Sequence, residues 1–218
     1  MKNKFISAEE AASMVKDGMT VMIGGFMAVG SPHSIIAKMV EKGVKDLTII
    51  CNDTAFPDKG IGLLIANKQV KRVITSHIGT NPCTIEQFNN KEISIEFNPQ
   101  GTLAERVRCA GAGLGGFLTP TGIGTIVEEG KQKINIDGRD YLLEKPLRAD
   151  IALLGASISD NIGNLVYKGS SQNFNPVMAT AADIVIAEAE EVVEVGQINP
   201  ENVKTQSIFV THIVKKSI

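Results

Sequence analysis

Apolar residues along this chain recur in two patterns, short unbroken runs and runs with a helical period. The unbroken runs are rich in strand-forming residues and lie at Thr20–Ile23 and Leu47–Cys51, and a further strand is predicted at Val70–Thr75. Such runs are typical of strands that are buried on both faces of a parallel sheet. Between the first two runs, one helical face carries the apolar residues Ile35, Ile36, Met39 and Val40, followed by Gly43. Strands that alternate with helices predict an α/β protein.

Further along the chain, the same patterns predict additional helices and one strand. The helices are expected at Gly60–Asn67 and Thr84–Phe88, and the strand at Ile93–Phe97. Capping residues predict where two other helices begin. Ser7 and Glu10 have the spacing of a capping box, and Gly18 stands where that helix can end; Thr102 and Glu105 have the same capping-box spacing.

The second half of the chain predicts a hairpin and two buried strands. Asp137-Gly138, within Ile134–Leu143, are the preferred residues of a type I′ turn. Ala149-Asp150 and Ala182-Asp183 each open an apolar run, with a short helix expected at 175–182, and residues 208–214 alternate like a strand. We expect one domain over residues 1–218, an α/β fold whose mostly parallel sheet is flanked by helices, with a small antiparallel addition.

The segment Gly111–Gly124 is unusually rich in glycine and reads G-A-G-L-G-G-F-L-T-P-T-G-I-G. This glycine content predicts a long ordered loop with no regular element. It contains the apolar residues Leu114, Phe117, Leu118 and Ile123, which indicate that it packs against another surface. Since loops of this length are usually functional, we expect a partner to pack there.

A second glycine-rich segment follows the first predicted strand. Gly24, Gly25 and Gly30 come between Thr20–Ile23 and the pair Ser31-Pro32. This pair predicts a helix start, with Ser at the N-cap and Pro at the first helical position. A strand, a glycine loop and a helix N-terminus in that order indicate a phosphate-binding element.

Two familiar phosphate-binding motifs fit this segment only in part. Gly25 and Gly30 have the glycine spacing of a P-loop, but Ser31 stands where that motif needs Lys. In a dinucleotide-binding loop, Phe26 would replace the second glycine, although Asp53 lies near the place of the ribose-binding acid. Both matches are weak.

Composition narrows the classes of function. A net charge of −2 over 218 residues leaves no basic footprint for nucleic acid or for an anionic membrane. No apolar run is long enough to span a membrane, and the N-terminus lacks the pattern of a signal peptide, so we expect a cytoplasmic protein. The cysteines and histidines are few and scattered, which predicts reduced thiols and no metal site: Cys51, Cys83, Cys109, His33, His77 and His212.

Polar residues follow the predicted strands, where ligands of open α/β sheets bind. Asn52 and Asp53 come directly after Leu47–Cys51 and are therefore site candidates. The alternative at Asp53 is an Asx turn, and Gln100, shortly after the strand that ends at Phe97, has the position of an ordinary turn residue.

The segment from Asp17 to Pro32 resembles the signature of the family I (3-oxoacid type) CoA-transferases. The matching positions are Asp17, Gly18, Val21, Met22, Ile23, Gly24, Gly25, Phe26, Gly30 and Pro32. Five other segments are similar to the α subunit of the bacterial acetate/acetoacetate/butyrate CoA-transferases: 50–56, 75–82, 99–105, 113–122 and 173–176. The resemblance covers essentially the whole chain. It implies the fold that these enzymes share with certain sugar-phosphate isomerases and deaminases.

The resemblance also implies an activity and a partner. Members of the family move CoA between carboxylates by ping-pong chemistry, through a glutamyl-CoA thioester. In two-subunit members this glutamate belongs to the β subunit, so we expect a hetero-oligomer, α2β2 or α4β4, with acyl-CoA as substrate and no permanently bound cofactor. Glu105 could substitute as nucleophile, but a capping carboxylate is the simpler interpretation.

Residue roles carry over only at matching positions. We expect the loop to contact CoA through Gly24, Gly25, Phe26, Met27, Ala28, Val29 and Gly30. Gln100 matches a glutamine whose amide helps to form the oxyanion hole, and Asn52 and Gly101 are candidates for the substrate site. Two other functions stay open: a sugar-phosphate isomerase or deaminase of the same fold, and a non-catalytic acyl-CoA-binding protein.

Overall fold

The computed structural model describes residues 4–216 as two sheets with helices packed against the larger one. In chain order, the strands are β1 (Thr20–Ile23), β2 (Leu47–Ile50), β3 (Val70–Thr75), β4 (Ser94–Phe97), β5 (Phe117–Thr119), β6 (Lys133–Ile136), β7 (Arg139–Glu144), β8 (Ala149–Asp160), β9 (Leu165–Val166), β10 (Ala182–Val193) and β11 (His212–Lys215). The α-helices are α1 (Ala8–Met14), α2 (His33–Lys42), α3 (Gly62–Ala66), α4 (Pro82–Asn89), α5 (Gln100–Gly111) and α6 (Asn175–Met178).

The larger sheet has the order β11-β10-β8-β1-β2-β3-β4, and every neighbouring pair along it is parallel. The short β9 pairs antiparallel with β8. The smaller sheet has the order β5-β7-β6 and is antiparallel. The predicted fold class, a mostly parallel sheet with a small antiparallel addition, is therefore confirmed.

The core lies on both faces of the large sheet, and β1 contributes to each face in alternation. Val21 and Ile23 pack with α2 residues such as Met39, whereas Met22 points to the other face and packs with α5 residues such as Leu103. All five are fully buried. Each such side chain contributes about 1.5–3 kcal/mol of transfer free energy. Burial on both faces explains why Val21, Met22 and Ile23 form a continuous apolar run in β1.

The first helix confirms one prediction and contradicts another. The capping box forms, with the Ser7 amide donating to Glu10 Oε2 (2.7 Å) and the Glu10 amide donating to Ser7 Oγ (3.0 Å). Gly18 does not end the helix, which already ends at Met14. Instead, its left-handed conformation (φ 77°) lets its amide donate to the Lys45 carbonyl (3.0 Å).

The second predicted capping box is wrong. Helix α5 begins at Gln100, with Pro99 at the N-cap, so Thr102 already lies inside the helix. Proline fixes its own φ, which here carries the chain into the helix three residues earlier than predicted. Glu105 accepts a hydrogen bond from Arg108 Nε (2.8 Å), one turn further along the same helix. Gln100 therefore stands at the helix start, directly behind β4.

The glycine-rich segment 111–124 is not purely a loop. It contains β5, whose pairing with β7 fixes the backbone at Phe117–Thr119. At the tail, β11 begins only at His212, and the predicted strand residue Ile208 is 84% exposed in a turn. The hairpin prediction is confirmed, since Asp137 (φ 50°) and Gly138 (φ 79°) form a turn with both central residues left-handed.

Within residues 4–216 no helix combines the length and apolar character needed to cross a membrane.

Candidate functional site

The candidate site lies at the carboxyl ends of four adjacent parallel strands, β1 to β4. The glycine loop follows β1, Asn52 follows β2, Ser76 follows β3 and Gln100 follows β4. Because the carboxyl ends of parallel strands meet at one edge of the sheet, residues that are far apart in sequence lie together there. The structure thus brings the predicted residues Asn52 and Gln100 to the glycine loop.

The tip of the glycine loop is a two-residue turn between Phe26 and Val29. The Phe26 amide donates to the Val29 carbonyl (3.0 Å), and the Val29 amide donates to Phe26 (2.9 Å). Met27 (φ 48°) and Ala28 (φ 67°) are both left-handed, a costly conformation for residues with a side chain. The turn leaves Phe26, Met27 and Val29 exposed and buries Ala28.

A buried carboxylate supports this strained turn. The Met27 amide donates to both oxygens of Asp53 (3.1 and 3.2 Å), and the Ala55 amide also donates to it (3.3 Å). Burial raises the pKa of the Asp53 carboxyl above its ordinary value, although these amide donors act in the opposite direction. Asp53 therefore makes more than an isolated Asx turn, because it also fixes the tip of the loop.

The three glycines of the loop accommodate the chain's own atoms. A Cβ on Gly24 would lie 1.8 Å from Asn175 Oδ1, and one on Gly25 would lie 2.0 Å from Ser31 Oγ. Gly25 also has a φ of 123°, which a residue with a side chain rarely adopts. Glycine is thus required here for close internal packing.

Two asparagines that the sequence analysis left without a role hold the loop in place. Asn173 Oδ1 accepts from the Gly25 amide (3.0 Å), and its Nδ2 donates to the Val29 carbonyl (3.2 Å). Asn175 is fully buried; its Nδ2 donates to the Gly30 carbonyl (2.9 Å). The resemblance includes these residues, but their contacts with the loop follow only from the fold, since β8 lies beside β1.

The helix N-terminus behind the loop does not have the predicted form. Ser31 is not the N-cap, since its Oγ donates to the Gly24 carbonyl (3.0 Å) and α2 begins at His33. The buried carboxylate of Glu188, from β10, instead accepts from the amides of Ser34 (3.1 Å) and Ile35 (3.0 Å). Glu188 thus occupies the place of an external anion, and the predicted phosphate site at this helix is wrong.

A chain of side-chain amides connects the loop to Gln100. Asn52 Nδ2 donates to the Gly25 carbonyl (3.0 Å), and Gln100 Nε2 donates to Asn52 Oδ1 (2.8 Å). Ser76 Oγ donates to Gln100 Oε1 and lies near the Asn52 carbonyl (2.8 Å). A primary amide carries two N–H donors, so one on Gln100 remains beyond the bond to Asn52. Gln100 and its neighbour Gly101 are exposed.

A buried arginine fixes the entry to α5 and so the position of Gln100. Arg106 Nη1 donates to Asn98 Oδ1 (2.6 Å) and Glu96 Oε1 (2.5 Å), and its Nε donates to the Lys145 carbonyl (2.8 Å). Burial opposes ionisation of Glu96, but hydrogen bonds from Arg106 and its neighbours hold the pKa of Glu96 below its ordinary value. A charged network therefore anchors the backbone directly before Gln100.

An open cleft of about 420 Å³ lies over this arrangement, lined by Phe26, Asn52, Gln100, Ser170, Asn173 and Phe174. A second cavity of about 300 Å³ lies on the other side of the loop. Its lysines Lys168 and Lys216 face the carboxylates Glu188 and Glu190, and Lys216 pairs with Glu190 (3.3 Å). The charges of this second cavity offset one another, whereas the cleft beside Gln100 is lined by uncharged residues and is the better candidate for a neutral ligand group.

Two nearby groups are poor nucleophiles. Burial raises the pKa of the Cys51 thiol, which stays protonated and is inaccessible. Glu105 is engaged with Arg108, as described above. No group of three or more His, Cys, Asp or Glu residues that could hold a metal ion is present among residues 4–216.

Comparison with known proteins agrees with the family resemblance seen in the sequence, over nearly the full chain. Residues 5–216 match the family model described as coenzyme A transferase. The chain is 52% identical to the acetate CoA-transferase subunit alpha of Escherichia coli K12, over 98% of this chain and 97% of the relative. It is 51% identical to the acetoacetyl-CoA:acetate/butyrate CoA transferase alpha subunit of Clostridium acetobutylicum, over 99% of each.

Solved structures share the fold at lower sequence identity. An acyl-CoA transferase from E. coli O157:H7, solved as a thioester complex with CoA, superimposes with a TM-score of 0.89 at 22% identity. The match covers 99% of this chain and 47% of that one, so this chain spans about half of its length. Glutaconate CoA-transferase from Acidaminococcus fermentans gives a TM-score of 0.85 at 19% identity, over 97% of this chain and 75% of that one.

Proposed function

The chain belongs to the coenzyme A transferase family, and on this premise we propose that it is the α subunit of a two-subunit CoA-transferase. The enzyme moves CoA between a short-chain acyl-CoA, such as acetoacetyl-CoA or butyryl-CoA, and acetate or a related carboxylate. Near-full-length identity to two α subunits that are named for these substrates supports the choice of substrate class.

The observation that carries this proposal is the exposed amide of Gln100 beside an open cleft, at the end of a preorganised amide network. Attack on a thioester develops negative charge on the carbonyl oxygen. A neutral amide donor, held in place before the reaction, stabilises that charge without supplying a competing proton. Gln100 is therefore the oxyanion donor, and Asn52 is the residue that orients it.

We assign the contacts with CoA to the glycine loop, Gly24 to Gly30. Within it, Phe26, Met27 and Val29 are exposed and can touch a ligand directly. The buried residues Gly24, Gly25 and Ala28 set the backbone that presents them. Gly101, which is exposed beside Gln100, leaves open space for the substrate.

The nucleophile is supplied by a β subunit. Its glutamate attacks the acyl-CoA to form an acyl-glutamyl anhydride and CoA thiolate. The thiolate then attacks the glutamyl carbonyl, which releases the first acid and leaves a glutamyl-CoA thioester. A second carboxylate reverses these steps, and the functional unit is a hetero-oligomer, α2β2 or α4β4.

Sugar-phosphate chemistry is disfavoured by Glu188, whose carboxylate fills the helix N-terminus that a phosphate would use. The three cysteines are unpaired, which fits a reducing compartment, and we place the enzyme in the cytoplasm.

The test is an assay of the purified chain, alone and after mixing with the β subunit. CoA transfer from acetoacetyl-CoA to acetate is expected only in the mixture. Borohydride reduction after incubation with acyl-CoA should trap the glutamyl thioester, and peptide mass spectrometry should locate it on the β subunit.

Transfer by this chain alone, or an adduct on Glu105 or another of its own carboxylates, would overturn the proposal. Binding of acyl-CoA without turnover in the mixture would favour the non-catalytic alternative.

A further inference from the structure

We propose that Phe174 determines which acyl-chain lengths the site accepts. This inference rests on the proposed function, and it concerns one wall of the cleft beside Gln100. Phe26 and Phe174 are the two aromatic residues that line the cleft, together with the amides of Asn52 and Gln100.

Phe174 is the fixed wall of the two. It is half-buried and packs against the core cluster that contains Met178 and Leu154. Its amide donates to Asn173 Oδ1 (2.7 Å), and its carbonyl accepts from the Met178 amide (3.0 Å), as α6 begins. By contrast, Phe26 stands on the tip of a turn and is 44% exposed. A wall that is held by the core gives the cleft a defined depth.

The side-chain amide of Asn173, next to Phe174, is already committed to the protein. Its Nδ2 lies within hydrogen-bond distance of the carbonyls of Val29 (3.2 Å), Ser170 (3.0 Å) and Ser171 (3.1 Å), while its Oδ1 accepts two amides. An alkyl chain needs no hydrogen-bond partner, whereas the pantetheine arm of CoA carries two amides that do. The surroundings of Phe174 therefore suit the acyl chain better than the CoA arm.

The acyl chain and the CoA arm leave the reacting carbonyl in different directions. With its oxygen at the Gln100 amide, the carbonyl carbon carries two substituents, the thioester sulfur and the acyl chain. The sulfur extends along the loop at Phe26, to which we assign CoA, and the acyl chain extends toward Phe174. Each buried methylene group is worth roughly a fourfold gain in binding, so a change in depth alters selectivity measurably.

The test compares Phe174→Ala, Phe174→Leu and wild type in the assembled enzyme, with acetyl-, butyryl- and hexanoyl-CoA as substrates. Phe174→Ala deepens the cleft, and the hexanoyl-to-butyryl ratio of kcat/KM should rise by about tenfold. Phe174→Leu should give a smaller rise in the same direction. Phe209→Ala, which removes an exposed ring outside the cleft, is the matched control and should leave the ratio unchanged.

A uniform change of kcat/KM for all three substrates would overturn the inference, because it would mean that Phe174 supports the fold or contacts the CoA arm. Calorimetric dissociation constants for the same acyl-CoAs keep the test independent of turnover. A wild-type complex that binds acyl-CoA but transfers nothing would contradict the proposed function alone. The dependence of binding on chain length would still decide the role of Phe174.

Discussion

The two glycine-rich regions, 24–30 and 111–124, look alike in sequence and differ in structure. In the first, added Cβ atoms at Gly24 and Gly25 would collide with Asn175 and Ser31. In the second, Gly111, Gly116 and Gly122 also lie close to other atoms, but Gly113, Gly115 and Gly124 have no atom within 4 Å of an added Cβ. The exposed apolar residues do not separate the regions, since Leu114 is 48% exposed and Phe26 is 44% exposed.

This difference shows that glycine content does not by itself indicate whether a segment is tightly packed. The first region needs glycine because side chains from distant parts of the chain occupy the space around it. In the second, only half of the six glycines are closely surrounded, the other half have open space around them, and the apolar side chains are at least partly exposed. We propose that the second region is a surface for the partner subunit, whereas the first is a rigid part of the site.

The largest effect is expected when the same substitution is made in both regions. Gly25→Val should lower kcat/KM more than 10²-fold, because the side chain clashes with Ser31 and disfavours φ 123°. Gly115→Val, with open space around it, should retain activity once the complex has assembled. Steady-state assays and size-exclusion chromatography of both complexes provide the measurement. If both variants assemble well and lose activity equally, the two glycine-rich regions do not differ in their need for glycine.

The next test concerns one glutamine beside each region. Gln100→Ala should lose roughly 10²-fold in kcat, the usual effect of deleting one oxyanion donor, and Gln100→Glu should be at least as harmful. Gln132→Ala, an exposed residue before β6, should leave kcat unchanged. Circular dichroism verifies the fold of each variant. Full kcat in a folded Gln100→Ala enzyme would refute its role as oxyanion donor.

The smallest effect concerns the carboxylate under the loop tip. Since the pKa of Asp53 is raised in the folded state, the fold favours the protonated carboxyl. Wild type should gain thermal stability relative to Asp53→Asn as the pH falls through the raised pKa toward the ordinary value of about 4. This gain should be on the order of a few °C and should be lost as the pH rises again.

The matched substitution for that experiment is Asp137→Asn in the hairpin, where asparagine suits the left-handed turn equally well. Thermal unfolding of the three proteins at several pH values supplies the comparison. If the difference in Tm between wild type and Asp53→Asn does not change with pH, the carboxyl of Asp53 titrates normally in the fold.

Much of the fold could be predicted from local pattern. The bounds of β1 agree with the apolar run at Thr20–Ile23, because a strand buried on both faces is apolar throughout. The bounds of β3 agree with the strand predicted at Val70–Thr75, although Lys71 and Arg72 within it are exposed. The rule that ligands bind beyond strand ends likewise indicated Asn52, which the structure places beside Gln100 and the loop. Periodicity and capping rules act over a few residues, and these features lie within that range.

What could not be predicted depends on residues that are distant in sequence. Glu188 reaches α2 across 154 positions, and no local rule indicates that a carboxylate of β10 fills that helix end. The N-cap prediction for Ser31 was wrong for a related reason, since its hydroxyl is used inside the loop instead. The role of Asn173 likewise requires knowledge that β8 pairs with β1.

The contact between Asn173 and Gly25 also determines the order of events during synthesis. These residues are 148 positions apart, and a ribosome that adds 5–20 residues per second needs roughly 7–30 s to make the chain between them. Throughout that interval β1 and its glycines have been made, but the residues that hold them do not yet exist. A nascent or truncated chain that ends before β8 therefore carries the whole signature without the geometry that it encodes. The site becomes competent only when the last third of the polypeptide has been made and has folded beside the first strand.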